Sequence, residues 1–267
     1  MRPAVPFLSI IIPTHKRPVL LERALASIKS QECPLPYEII VVSDHADLAT
    51  DEVCNRLLGP GDMKIRRNGL PGPSLSRNLG IDLAKGRSVM FLDDDDAWQP
   101  GLLASLAASQ DVTEGRFVYL NCRVVKERRS ATNPEFISEL ALDTAGRLNE
   151  QVFVQNQIHM SCIVFPRALI GSTRFDASMR AYEDWDFMLA MFSKEMAAHV
   201  PLQGSIVYEV DDDTSDRRGN SQNANNGHAI MDYLYVYRRH PAPSEALREQ
   251  RAALMRHVGM TLPAELL

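Results

Sequence analysis

Four consecutive aspartates, Asp93 to Asp96, directly follow a hydrophobic segment and form the longest run of acidic residues in the chain. Adjacent carboxylates repel one another, and each close contact costs on the order of 1 kcal/mol or more unless a cation or solvent screens it. In an extended segment, Asp93 and Asp95 would point to the same side and could share one ligand. Because carboxylates favour hard ions that combine few protein ligands with substrate phosphates, the run predicts a Mg²⁺ or Mn²⁺ site. A solvated acidic turn and a calcium loop are the alternatives.

A second acidic cluster lies in Ala181–Leu189, where Glu183, Asp184 and Asp186 would occupy the first turn of a helix. The positive end of the helix dipole stabilises carboxylates at this position, so a structural role alone accounts for most of them. A functional role needs one carboxylate that accepts a proton from a hydroxyl group, which is the work of a general base. The helix itself is predicted by an apolar stripe at i, i+3, i+4 and i+7, made of Trp185, Met188, Leu189 and Phe192.

The elements that position the aspartate run alternate over roughly the first 110 residues. Strands are predicted at Leu8–Ile12, Glu38–Val42 and Ser88–Leu92, with a helical stripe over Leu20–Ile28. A further helix is predicted from Ser74, as its N-cap, to Gly86. This alternation is typical of a mostly parallel α/β sheet flanked by helices. It places the aspartates at the carboxyl end of a strand, where open α/β sheets bind ligands.

The second half of the chain is less regular. Its predicted strands are Phe117–Val125, Met160–Phe165 and Ile206–Val210. The polar segment Lys126–Gln151 is expected to pass over the active-site face. Two helices are expected between Ile230 and Val258, with Ser244 capping the second. For their aromatic and basic residues, three roles are open: packing on the core, formation of a homodimer, and peripheral contact with lipid headgroups.

Composition narrows the class of protein. The 29 Lys and Arg residues against 34 Asp and Glu residues give a formal net charge of −5, which argues against general nucleic-acid binding. The four cysteines are widely separated, so neither a zinc cluster nor a disulfide framework is predicted, and a reducing, cytoplasmic setting is expected. The apolar segment Phe7–Ile12 is too short to span a bilayer and is expected to be a buried strand.

Five motifs in order give the chain a specific resemblance. They are SIIIPTHKR, EIIVVSD, SLSRNLGIDLAKG, the FLDDDD run and YEDWDF, within residues 7–215. Together they resemble the family 2 inverting glycosyltransferases of GT-A fold. The resemblance implies a catalytic domain over residues 1–226, with a nucleotide-sugar half over about 1–115 and an acceptor half over about 116–226. Residues 227–267 would be a helical extension.

The resemblance also implies roles for individual residues. Asp184 corresponds to the catalytic carboxylate, and Asp95 to the direct metal ligand. Asp93 would face the ribose or the sugar, with Asp94 beside it, and Asp44 would contact the base. The remaining residues that would border the nucleotide or its phosphates are Pro13, Thr14, Arg17 and Arg77. Taken alone, Asp44 could instead cap a turn and Arg77 could form a salt bridge on the surface.

The implied reaction transfers one sugar from a nucleotide diphosphate donor, with a UDP-sugar favoured, to a hydroxyl group of an unidentified acceptor. The cofactor would be Mn²⁺ or Mg²⁺, and the acceptor a glycan, a lipid-linked glycan at the inner face of a membrane, or a small molecule. Two alternatives are a sugar-1-phosphate nucleotidyltransferase and a non-enzymatic module that binds metal or carbohydrate. The sequence holds PTHKRP where the former presents a glycine-rich phosphate loop.

The segment Asp211–Asn226 is rich in Asp, Ser, Asn and Gly, which predicts a flexible loop. Many relatives have His where this chain has Asp211, so the resemblance implies that Asp211 completes the metal shell. Arg217 and Arg218 would then offset phosphate charge when the loop closes over the donor. The alternative is a solvated acidic loop.

Overall fold

The first strand shows how the sequence builds the centre of the molecule. Residues Leu8–Thr14 form β1, and all seven are buried. Ile10 and Ile12 lie in one hydrophobic core, whereas Ile11 between them lies in another. Because successive side chains of a strand point to opposite faces, β1 separates two cores that helices cover from either side.

The computed structural model describes residues 5–129, 134–210, 226–257 and 259–267. After β1, its strands are β2 Tyr37–Ser43, β3 Met63–Arg66, β4 Ser88–Phe91, β5 Ala97–Trp98, β6 Val118–Arg129, β7 Pro134–Leu142, β8 Ile163–Pro166 and β9 Ala198–Val210. Its α-helices are α1 Pro18–Lys29, α2 Leu48–Leu57, α3 Pro73–Leu83, α4 Leu102–Ala108, α5 Gln110–Thr113, α6 Arg167–Ile170, α7 Glu183–Phe192, α8 Asn226–Arg239 and α9 Glu245–His257. Three short 3₁₀ segments are Glu150–Phe153, Met160–Cys162 and Ala264–Leu266.

The strands of the described residues form one sheet in the order β3-β2-β1-β4-β8-β6-β9-β5, with β7 paired to the far part of β6. The first four strands are parallel, and β6 and β9 are parallel to each other. The intervening β8 is antiparallel to both β4 and β6. The predicted α/β class and parallel amino-terminal half are confirmed. The strand ends that matter for function are those of β1, β2 and β4, which meet at one edge.

The helix α3 packs unusually close to β1. A Cβ atom on Gly80 would lie 2.4 Å from Cγ2 of Ile11, and one on Gly86 would lie 2.5 Å from the main-chain nitrogen of Ser9. Neither position has room for a side chain, so glycine allows the helix and the chain after it to lie directly on the strand.

Two local predictions are wrong. The aspartate run is not extended, because the N–H of Asp96 donates to the carbonyl of Asp93 at 3.0 Å and closes a turn. Ser74 does not cap α3 and Gly86 does not end it, since the helix begins at Pro73 and ends at Leu83. Proline is suited to the first helical position because its φ is already helical and its missing N–H would have no partner there.

The segment Lys126–Gln151 also differs from the expectation of an excursion. The strand β6 continues to Arg129, and β7 returns beside it in an antiparallel hairpin with a bulge near Lys126. The residues at the carboxyl end of β6 are charged, so they lack the apolar alternation that marks a strand in sequence. Backbone pairing with β7 and β9 on either side supplies the missing stabilisation. Likewise Met160–Cys162 is a 3₁₀ turn ahead of β8 rather than part of the strand.

The carboxyl-terminal helices α8 and α9 pack on the core. Tyr233 lies with its ring centroid 4.8 Å from that of Trp185, and Tyr237 is buried. The fully buried Arg251 donates to the carbonyls of Phe153, Tyr237 and His240. Packing on the core is thus the observed role of these helices. Formation of a homodimer, contact with lipid headgroups and the domain boundary at residue 226 stay predictions. Within the described ranges, no helix combines the length and apolar character needed to cross a bilayer.

Candidate active site

A cleft of about 840 Å³ lies at the carboxyl ends of β1, β2 and β4. All predicted site residues within the described ranges line it, namely Pro13, Thr14, Arg17, Asp44, Arg77, Asp93, Asp94, Asp95 and Asp184. Residues that are distant in sequence meet here because the carboxyl ends of parallel strands lie at the same edge of a sheet. The predicted Asp211, Arg217 and Arg218 lie outside the described residues.

The four aspartates of the turn have different partners. Asp93 lies 2.6 Å from Nη2 of Arg77, and its side chain is 42% exposed. Asp95 lies 3.0 Å from Nη1 of Arg129. Asp96 points away from these arginines and accepts the main-chain N–H of Tyr208 at 3.0 Å. The nearest partner thus differs for each carboxylate, although Nη1 of Arg17 lies 3.4 Å from both Asp94 and Asp95. The turn does not direct two pairs of carboxylates to two sides.

Asp94 is the most confined acid of the turn. It accepts a hydrogen bond from Oγ1 of Thr14 at 2.8 Å and lies 3.4 Å from Nη1 of Arg17. Burial raises the pKa of Asp94 to about 6, although the Arg17 guanidinium acts in the opposite direction. Thr14 and Arg17 thus contact the aspartate turn directly, which joins the end of β1 to the end of β4.

Arg77 links the aspartate turn to the helix that carries Asp184. Its guanidinium donates to Asp93 at 2.6 Å and to Oε1 of Glu183 at 3.0 Å, and its side chain is 5% exposed. Burial lowers the pKa of Arg77, but the surrounding carboxylates, Asp93 first, outweigh it and raise the pKa overall. Arg77 is therefore a buried ion-pair partner, and a surface position for it is excluded.

Asp184 is partly buried at the first turn of α7, where its Oδ1 accepts the N–H of Trp185 at 2.7 Å. Burial raises the pKa of Asp184, with the charge of Arg77 opposing the rise. The residue before the helix, Tyr182, has a φ of 61°, a left-handed conformation that non-glycine residues rarely adopt. Its ring packs 4.6 Å from that of Tyr233, which holds this strained turn in place. A raised pKa in a cleft is what a general base requires.

Asp44 occupies the position expected to contact a base, but its carboxylate also organises a turn. It accepts the N–H of Gly72 at 2.7 Å and lies 2.5 Å from Nδ1 of His15. Arg67 donates to the carbonyl of Gly72 at 2.7 Å and secures the same turn. The helix that follows β2 is capped by Asp47 and not by Asp44.

Sequence reasoning missed three charged residues beside the turn, Arg23, Glu127 and Arg129. Arg129 contacts Asp95, and both arginines contact Glu127, whose side chain is 3% exposed. Glu127 and Arg129 were hidden in the segment taken for an excursion. The sequence carries no periodic signal for them, because residues 126–129 are all charged and show no alternation of apolar and polar residues. His15 and His159, to which the sequence analysis gives no role, also line the cleft.

The metal-ligating side chains in the cleft show whether it could hold a divalent ion. No group of three His, Cys, Asp or Glu residues converges within the described ranges. Asp93 and Asp95 nevertheless line the same cleft, and their two carboxylates are of the hard oxygen type that such an ion prefers. This number fits Mg²⁺ or Mn²⁺, which take one or two carboxylates and complete their shell with water and substrate phosphates.

Comparison with solved structures supports the fold. S. aureus TarS 1–349 in complex with UDP-GlcNAc superimposes with a TM-score of 0.60 at 15% identity, over 95% of this chain and 73% of TarS. Mannosyltransferase PcManGT from Pyrobaculum calidifontis, in complex with GDP-Man and Mn²⁺, gives 0.57 at 16% identity, over 98% of this chain and 78% of that protein.

Comparison with curated sequences supports the family. The GalNAc(5)-diNAcBac-PP-undecaprenol beta-1,3-glucosyltransferase of Campylobacter jejuni is 34% identical over 177 residues, which are 64% of this chain and 55% of the relative. The chain thus spans little more than half of that protein. The family model described as "Glycosyl transferase family 2" matches residues 9–165, which include the strands and the aspartate turn of the cleft. The chain therefore belongs to glycosyl transferase family 2, as its motifs predict.

Proposed function

We propose that this chain is a metal-dependent, inverting glycosyltransferase that moves a sugar from a nucleotide diphosphate sugar to an acceptor hydroxyl. The observation that carries the proposal is Asp184, which is partly buried, has a raised pKa that suits a general base, and lines the same cleft as the aspartate turn. A UDP-sugar is the favoured donor and a GDP-sugar the other candidate, since the structural neighbours TarS and PcManGT are bound to UDP-GlcNAc and GDP-Man. The match to glycosyl transferase family 2 does not favour the nucleotidyltransferase or the non-enzymatic alternative.

In this mechanism the chain's own residues bind the donor, orient it, and deprotonate the acceptor hydroxyl. Pro13, Thr14, Arg17 and Asp44 border the nucleotide, and Arg77 faces the phosphates or the sugar. Asp95, with Asp93 beside it, would hold Mg²⁺ or Mn²⁺, which when bound neutralises charge on the departing diphosphate. Arg77 also fixes the distance between the donor side and the helix of Asp184, since it contacts both Asp93 and Glu183.

Asp184 takes the proton from the acceptor hydroxyl as its oxygen forms a bond to the anomeric carbon. The bond between that carbon and the diphosphate oxygen breaks, and the diphosphate leaves with the electron pair. Attack from the opposite face inverts the configuration and needs no covalent intermediate on the protein. Positioning and electrostatics would supply most of the rate enhancement.

For the acceptor, we propose a glycan hydroxyl presented at a membrane surface. The name of the Campylobacter relative specifies an undecaprenol-linked glycan, which supports this class. We also retain Asp211 as a metal ligand, and Arg217 and Arg218 as phosphate contacts, although all three lie outside the described residues. Comparing Asp211→Ala with Asp211→His tests this: equal Mn²⁺-dependent UDP affinity in wild type and both variants would remove Asp211 from the site.

The test of the function is donor hydrolysis, which needs no acceptor. A panel of nucleotide sugars is incubated with Mn²⁺, Mg²⁺ or EDTA, and release of nucleoside diphosphate is measured. We expect Asp184→Asn to lower turnover by about 10²- to 10⁴-fold, because it removes a base but preserves shape. UDP affinity should stay unchanged. Asp82→Asn makes the same chemical change outside the cleft and should behave as wild type. Near-normal turnover in Asp184→Asn would refute the assignment.

A further inference from the structure

The guanidinium of Arg129 lies where a cation bound to Asp95 would be expected. Its Nη1 is 3.0 Å from Oδ2 of Asp95, and its Nε is 2.8 Å from Oε1 of Glu127. The side chain is 18% exposed, and its Nη2 is buried without a hydrogen-bond partner among the described residues. Arg129 therefore offsets the charge of Asp95 while one of its own buried donors has no partner among the described residues.

A second arginine, Arg23, stabilises the positions of Glu127 and Asp95. Arg23 donates to both carboxylate oxygens of Glu127, at 2.7 and 3.2 Å, and to the main-chain carbonyl of Asp95 at 2.6 Å. Its guanidinium carbon lies 3.6 Å from the centre of the Tyr208 ring, which supports it. Glu127 thus has a partner other than Arg129, so movement of Arg129 would not leave a buried carboxylate uncompensated.

The charges of this cluster balance without a metal. Three carboxylates, those of Asp94, Asp95 and Glu127, face three guanidinium groups, those of Arg17, Arg23 and Arg129. Nη1 of Arg17 lies 3.4 Å from both Asp94 and Asp95. A divalent ion at Asp95 would compete with Arg129 for the same oxygen and be repelled by its charge. The balance changes when a nucleotide diphosphate enters, because its negative charge attracts both the ion and the guanidinium.

We propose that Arg129 is a positioning residue that occupies Asp95 in the donor-free protein and makes metal binding conditional on the nucleotide diphosphate. This inference rests on the proposed function, in which Asp95 is the metal ligand. It predicts weak Mn²⁺ binding by the protein alone and strong binding in the presence of UDP. By linkage, Mn²⁺ must strengthen UDP binding by the same factor.

The experiment measures Mn²⁺ affinity by electron paramagnetic resonance of free Mn²⁺, with and without UDP. Arg129→Gln removes the charge and keeps an amide donor for Glu127. We expect this variant to bind Mn²⁺ alone about tenfold more tightly than wild type, because the competing cation is gone. The strengthening of UDP binding by Mn²⁺ should fall by the same factor. Arg129→Lys restores the charge and should restore weak binding of Mn²⁺ alone.

Two further variants separate the possible failures. Arg123→Gln makes the same change on the same strand, but Arg123 pairs with the exposed Glu139 and should have no effect on Mn²⁺. Asp95→Asn should abolish Mn²⁺ binding. If it does, and Arg129→Gln and wild type bind Mn²⁺ equally, the inference about Arg129 is overturned and the proposed function stands. If Asp95→Asn binds Mn²⁺ as wild type does, both fail.

Discussion

At the scale of the residue, the cleft pairs three aspartates of the turn with arginines, and two of these aspartates, Asp94 and Asp95, are buried. Asp93 pairs with Arg77, Asp94 with Arg17, and Asp95 with Arg129. Breaking a buried pair by removing one partner leaves an uncompensated charge and is strongly destabilising. Substrate phosphates and a metal must therefore replace ion pairs that already exist, because the charges of the site are balanced without them.

The pKa of Asp184 leads to a prediction about the pH dependence of turnover. The base works when it is ionised, so kcat should fall as the pH drops through its pKa. Because burial raises that pKa above the ordinary aspartate value, the acid limb should lie at higher pH than an exposed aspartate would give. The profile of kcat for donor hydrolysis at saturating Mn²⁺ and donor measures it.

The control for this profile is Asp94, whose pKa is also raised by burial, to about 6. An Asp94→Asn variant has no titrating group at this position. If the acid limb persists in Asp94→Asn, Asp184 remains its source. Disappearance of the limb would assign it to Asp94 and remove the pH argument for Asp184.

At the scale of the element, the carboxyl-terminal helices hold the helix of the general base. Asp186, two residues after Asp184 and 1% exposed, accepts from His240 at 2.9 Å and from Arg239 at 3.1 Å. Trp185 lies between them and packs on Tyr233 and Tyr237. The first turn of α7 therefore faces the cleft with one side and the added helices with the other.

Arg251 gives a prediction for these helices. Arg251→Met should lower the free energy of unfolding by about 2–4 kcal/mol, because it leaves buried carbonyls of Phe153, Tyr237 and His240 without their donor. Arg256→Met, on the exposed face of the same helix, should stay within about 0.5 kcal/mol of wild type. Urea unfolding compares the two variants. If Arg251→Met and Arg256→Met are equally stable, the hydrogen bonds of Arg251 do not stabilise the packing of the helices.

The packing of α3 on β1 gives a second prediction at this scale. Gly80→Ala should destabilise the protein by about 1–3 kcal/mol, although alanine favours a helix, because its Cβ would lie 2.4 Å from Cγ2 of Ile11. The double variant Ile11→Ala/Gly80→Ala should lose less than the sum of the two single changes, because removal of Cγ2 makes room. Simple additivity in urea unfolding would contradict the close approach.

At the scale of the whole molecule, binding of the nucleotide should raise the free energy of unfolding. UDP at a concentration of about 100 times its dissociation constant should stabilise the protein by about 2.7 kcal/mol, provided that Mn²⁺ is present. This corresponds to a rise in Tm of roughly 5 °C for a chain of this size. Differential scanning calorimetry measures it, with EDTA and Asp95→Asn as controls. An equal rise in EDTA would contradict metal-dependent binding.

Much of the fold and the lining of the cleft could be predicted from sequence. The apolar residues of β1 and β2, and the i, i+3, i+4 stripe of α1, are local patterns that only a buried strand or an amphipathic helix satisfies. Asp44 and Asp93 follow such strands, so their approach at one sheet edge follows from the parallel topology. Asp184 could be placed at a helix start for the same local reason, because the stripe from Trp185 to Phe192 defines the helix.

The tertiary structure alone decided the electrostatics of the cleft. Asp95 and Arg129 are 34 residues apart, and Arg77 and Glu183 are 106 apart, so no local pattern connects them. The charged end of β6 is a strand only because β7 and β9 pair with its backbone. The four aspartates form a turn, but nothing in their sequence distinguishes a turn from an extended segment. Charge type is written in the sequence, whereas the partner of each charge, its burial and hence its pKa depend on contacts that form only when distant segments meet.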